Sequence, residues 1–149
     1  ASTANSGTSA NTADGDADGL DNLLEFGFGT DPAVLFSGSL VWDGGTSTLT
    51  PGQPIAVELF PGVDMQFVQR TDAGDPGSVR YIVEFSPDMT PGSWETSDDV
   101  PTPDWYAAPT FVGADAAYPD YEVVKITFPF TLESGQKARF GRQVKVCAR

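Results

Sequence analysis

The chain has 149 residues, with 21 acidic against 8 basic side chains, a formal charge of −13 and no histidine. That charge repels phosphates and argues against a duplex-binding surface, but it suits divalent cations and an extracellular setting. The absence of histidine removes the commonest general base and the commonest zinc ligand.

Residues 1–13, ASTANSGTSANTA, form a low-complexity arm. Six of the thirteen are Ser or Thr (Ser2, Thr3, Ser6, Thr8, Ser9 and Thr12), and none is large and apolar. Such a segment buries too little surface to offset its ordering entropy, so alone it is expected to be disordered; a neighbouring subunit, with attached glycan, is the candidate to hold it in order. Fully extended, thirteen residues reach about 43 Å. The hydroxyls also permit O-linked glycan, at Thr3, Thr8 or Thr12 among others. No N-linked sequon exists at Asn5, Asn11 or Asn22.

Residues 14–32, DGDADGLDNLLEFGFGTDP, begin with a full match to a calcium-loop template. Asp14, Asp16 and Asp18 fill the first, third and fifth places, and Gly19 the sixth, where the chain must turn sharply. Leu20, seventh, offers its backbone carbonyl. Asn22, ninth, ligates directly or through water, and Glu25, twelfth, closes the shell with both oxygens. Calcium takes about six to eight hard oxygens, which alternating side chains on a tight loop bring to one point. Leu20, Leu23 and Leu24 have helical spacing. Gly27 and Gly29 are expected to stop that helix, and Pro32 to prevent its resumption.

Residues 33–149 read as strands between Gly/Pro turns. The expected segments are Val34–Trp42, Pro54–Phe60, Met65–Arg70, 79–85, Glu122–Phe130 and Arg139–Cys147. Val79, Tyr81, Val83 and Phe85 alternate with Arg80, Ile82 and Glu84, and Glu122–Phe130 alternates in the other phase through Val124, Ile126 and Phe128. Residues 86–121, rich in Pro, Asp and aromatics, are expected to hold a long loop and one or two irregular edge strands. The fold class expected is all-β, an immunoglobulin-like antiparallel β-sandwich, preceded by the extended arm and one calcium loop with a short helix. Cys147 is the sole cysteine, so no intrachain disulfide exists. It is expected to be a small buried residue, with an intersubunit bridge as the alternative. No apolar run approaches the roughly 20 residues that span a bilayer. A chain opening at Ala1 without Met reads as a processed, secreted one.

The calcium loop with its single following helix resembles the dockerin and thrombospondin calcium repeats, in which the ion is structural and rigidifies extracellular linkers. Tyr81, Val83, Glu84, Ser86, Asp88 and Trp94 match a "Y-x-V-E-x-S-x-D…W" pattern. Arg139, Phe140, Arg142, Val144 and Val146 match a closing "R-F-x-R-x-V-x-V". These features resemble the C-terminal β domains of large secreted bacterial proteins, where a calcium linker precedes an immunoglobulin-like sandwich. The resemblance implies fold and extracellular location, with no catalytic residues.

Three functions are weighed. The first is a structural subunit of an extracellular bacterial filament, stabilised by Ca2+ and assembled head-to-tail with identical subunits. Residues 1–32 hold six acidic residues and no Lys or Arg, whereas 137–149 hold five of the eight basic ones. A heterologous contact of that kind that does not close gives a filament. The second is a carbohydrate- or surface-binding module, with Trp105 and Tyr106 as the candidate stacking pair. The third, catalysis by carboxylates such as Asp98, Asp99 and Asp104, is not expected, because no nucleophile–base pair is visible.

Overall fold

A computed structural model of the chain describes residues 12–14, 16–17, 19–31, 33–34, 38–59, 62–76, 78–86, 91–92, 94–97, 101, 109–128 and 141–148. These build one helix, α1 (Asn22–Phe28), and nine strands: β1 (Val41–Asp43), β2 (Thr48–Thr50), β3 (Ile55–Leu59), β4 (Gly62–Arg70), β5 (Val79–Ser86), β6 (Glu95–Thr96), β7 (Thr110–Gly113), β8 (Tyr121–Phe128) and β9 (Gly141–Ala148). The fold is all-β with antiparallel sheets and a single short helix among the described residues. None of the described residues forms a helix long and apolar enough to cross a membrane.

The sheets run β1-β2, β3-β4-β8-β7 and β6-β5-β9. In the four-stranded sheet the two middle strands are buried on both faces. Phe67 opposes Val124 and Val68 opposes Val123, and all four side chains are buried. On one face, Val68 and Val123 pack with Leu40 and Leu49, ringed by Trp42, Ile55, Val112, Tyr118 and Tyr121. The β1–β2 hairpin therefore covers that face. On the other face the Phe67 ring lies 5.7 Å from that of Tyr81 in β5. Alternation in the sequence reveals only one buried face. A strand covered on both sides loses that signature, which is why Val68 and Val123 are not singled out by periodicity.

Of the described residues in the expected first strand, Val34–Trp42, only Val41 and Trp42 lie in a strand, and residues 35–37 fall outside the described ones. Val34 is exposed in a turn whose N–H donates to Asp31 O, and Ser39 makes only an isolated parallel bridge to Gln53. Regular pairing begins at Val41. Leu40 is apolar because it fills the core beneath the hairpin, not because it belongs to a ladder. The irregular stretch before Tyr121 does contain two short edge strands, β6 and β7. In β7 the register shifts between Phe111 and Gly113.

Gly113 marks where the hairpin meets the sheet. A Cβ at this position would run into the indole ring of Trp42. Gly113→Ala is therefore expected to destabilise the fold by about 1–3 kcal/mol through overpacking, read as a lowered urea midpoint at unchanged slope.

Candidate metal centre

The acidic loop is held shut by its own backbone. Asn22 N–H donates to Ala13 O at 2.8 Å, tying the residue before the first ligand position to the ninth. Asp14 Oδ2 accepts from Gly19 N–H at 3.0 Å, so the first position is drawn toward the sixth. Gly19 has φ 95°, a left-handed conformation that only glycine adopts without penalty. Ala17 has φ 62°, which costs a side-chain-bearing residue about 1–2 kcal/mol, so the closed loop stores strain there.

The helix starts at the end of the acidic loop. Asp21 is its N-cap, with Oδ1 accepting from Leu24 N–H at 2.9 Å. This places both Asn22 and Glu25 in the first turn. Glu25 is 0% exposed, and both its carboxylate oxygens and Asp16 Oδ2 are shut off from solvent. Leu20 is also buried. Gly27 does not end the helix, as the sequence suggested. It lies inside it, buried, and the chain leaves at Gly29, whose left-handed φ of 78° lets its N–H reach Glu25 O. Thr30 N–H reaches the same carbonyl at 3.0 Å.

The β domain supplies the rest of the helix end. The last carbonyls of a helix lack partners within it. Here Tyr81 Oη–H donates to Gly27 O, and Tyr121 Oη–H donates to Phe26 O at 2.8 Å. Tyr81 Oη in turn accepts from Arg70 N–H at 3.0 Å. The Arg70 guanidinium lies 4.3 Å from the centroid of the Phe26 ring and 5.4 Å from that of Tyr121. Asp72 holds it through a 2.8 Å ion pair. Phe28 packs on Val79, flanked by Leu23, Leu24 and Tyr81.

The hydrogen bonds from Arg70 and then Ser78 pull the Asp72 carboxyl down to about 2. Because the folded value is depressed, this contribution is present above the ordinary carboxylate range and is lost as pH falls through about 2. Burial pushes the Tyr81 hydroxyl up. Its contribution is complete below the ordinary tyrosine value and is lost as pH rises through the higher folded one.

Of the six metal-site positions named from sequence, Asp14, Asp16, Leu20, Asn22 and Glu25 are described, and Asp18 lies outside the described residues. Among the described residues no three His, Cys, Asp or Glu side chains stand close enough together to hold a metal ion. In the arm only Thr12 and Ala13 are described, and Thr12 is exposed. Ser2, Thr3, Ser6, Thr8 and Ser9 lie outside the described residues, as do Trp105, Tyr106, Asp98, Asp99 and Asp104. Cys147 falls in β9 opposite Arg80.

Sequence reasoning missed the Arg70–Tyr81–Tyr121 clamp. One signal was present: a tyrosine on the core face of a strand needs a partner for its hydroxyl. Comparison with protein-family models, curated proteins and solved structures finds no match to this chain.

Proposed function

We propose that the chain is a structural subunit of an extracellular bacterial filament, joined to identical subunits through its N-terminal arm and stiffened by calcium at residues 14–25. The observation that carries this reading is the burial of Glu25 at the twelfth place of a loop already closed by Asp14 and Gly19. Withdrawing carboxylate oxygens from water is costly unless positive charge or donors meet them. Asp14, Asp16, Asp18 and Glu25 bring hard carboxylate oxygens together within twelve residues of sequence, a donor set that suits a divalent cation. Asp14, Asp16, Asp18, Asn22 and Glu25 would hold it by side-chain oxygens, and Leu20 by its carbonyl. The ion's role would be mechanical: it would fix the angle at which the arm leaves the β domain.

The β domain is read as an immunoglobulin-like sandwich. Its strand order, β3-β4-β8-β7 in one sheet and β6-β5-β9 in the other, with Phe67 and Tyr81 in contact between them, supports that reading. A filament subunit needs a rigid body and a directional connector, and the docked helix joins the two.

Negative-stain microscopy of the full chain in calcium, beside a chain lacking residues 1–13, tests the proposal. Filaments are expected from the full chain alone. Filaments from both chains would rule out the arm as connector.

A further inference from the structure

After α1 the chain passes the end of the β1–β2 hairpin. There Thr30, Asp31 and Val34 line a cleft together with Thr50, Pro51 and Tyr118, about 420 Å3 in volume. Small-molecule sites run from about 300 to 1,000 Å3. Asp31, Val34 and Thr50 are exposed, so the cleft opens to solvent, whereas Pro51 is buried and Tyr118 half-buried.

The walls are fixed from both sides. Thr30 N–H donates to Glu25 O and Val34 N–H to Asp31 O, each at 3.0 Å. Tyr118 N–H donates to Asp115 O at 2.9 Å, and its side chain packs against Leu40, Leu49, Val68 and Val123. A preformed cleft loses little affinity to being ordered by its ligand. Asp31 Oδ1 accepts from Ala33 N–H at 2.9 Å, which orients the carboxylate and leaves Oδ2 for a donor from outside.

We infer that this cleft binds a neutral sugar, a mono- or disaccharide. Its lining is of two kinds: Val34, Pro51 and the Tyr118 ring are apolar, and Asp31 and Thr50 are polar. A sugar ring meets both, because its C–H face rests on apolar and aromatic surface while its hydroxyls donate to the carboxylate and pair with the threonine. An apolar ligand would strip water from Asp31 and replace it with nothing. An anion is repelled by Asp31 and by the formal charge of −13. A simple cation would find one exposed carboxylate, which holds it weakly. These lining residues are not those of the calcium loop, so the inference stands apart from the metal and filament readings.

Amide spectra of the nitrogen-labelled full chain, in calcium and at a concentration where sedimentation shows monomer, test this by titration with glucose, galactose, mannose, N-acetylglucosamine, maltose and cellobiose. At least one sugar is expected to give saturable shifts at 29–31, 50 and 118. Asp31→Asn and Thr50→Val alter exposed side chains, so spectra elsewhere are expected to stay unchanged. The first is expected to raise the dissociation constant by ~10-fold and the second by about 3-fold. No saturable shift with any of the six sugars would overturn the inference. So would saturable shifts confined to other residues, Trp105 and Tyr106 included, or an affinity that neither substitution changes.

Discussion

Chelating calcium is expected to lower the melting temperature of the full chain by about 5–10 °C. At free calcium ~100 times the dissociation constant, a ligand that binds only the folded state contributes about 2.7 kcal/mol. For a chain of this size, each kcal/mol moves the midpoint by about 2–4 °C. The expectation rests on Glu25, whose side chain is wholly buried. Removing the ion would leave Asp14, Asp16, Asp18 and Glu25 close in sequence with no counter-charge from residues 1–32, and their repulsion would favour opening. Differential scanning calorimetry in calcium and in EGTA reads the shift. Glu25→Gln is expected to abolish the calcium dependence. A midpoint indifferent to EGTA would remove the metal from the account.

The second large effect belongs to the helix clamp. Replacing both Tyr81 and Tyr121 by Phe is expected to destabilise the fold by about 2–5 kcal/mol. Loss of the Tyr81 hydroxyl strips Gly27 O of its donor and Arg70 N–H of its acceptor, and an abandoned buried group costs about 1–3 kcal/mol. Loss of the Tyr121 hydroxyl removes the donor to Phe26 O at a site nearer solvent, so its share is smaller. The aromatic rings remain, and with them the stacking of Phe28 and Phe67 on residue 81. Denaturant unfolding measures the loss. Exchange at 22–28 that quickens more than exchange in β4 and β8 would identify helix release as the first event. A double variant as stable as the parent would show that helix and sheet are held by apolar packing alone.

The clamp alters how the loop is understood. From sequence it is a linker between an arm and a domain. In the structure its helix is part of the domain's core: Phe28 packs on Val79, and two tyrosines from different strands cap its last carbonyls. An angle set at residues 14–25 would therefore be transmitted to the sheets, because α1 packs against β4 and β9.

The legible parts of the fold were those with a local signature. Val79, Val83, Val124 and Ile126 declared their strands by alternation, and the spacing of the leucines Leu20, Leu23 and Leu24 declared a short helix. What stayed hidden depends on contacts far apart in the chain. Val123 and Val68 are buried on the second face only because the β1–β2 hairpin folds over them. Leu40 looked like strand and is core without a ladder. Gly27 looked like a helix stop, yet it sits inside the helix where Tyr81 reaches its carbonyl. The partners of Arg70, Tyr81 and Tyr121 lie up to 95 residues away, beyond any periodicity.

In the proposed filament, calcium at residues 14–25 governs assembly of identical subunits. Negative-stain microscopy of one full-length preparation, imaged in calcium, after EGTA and after calcium is restored, tests it most directly. Filaments that disperse in EGTA and return with calcium are the predicted result. Filaments that persist unchanged through chelation, or particles that stay monomeric throughout, would contradict it.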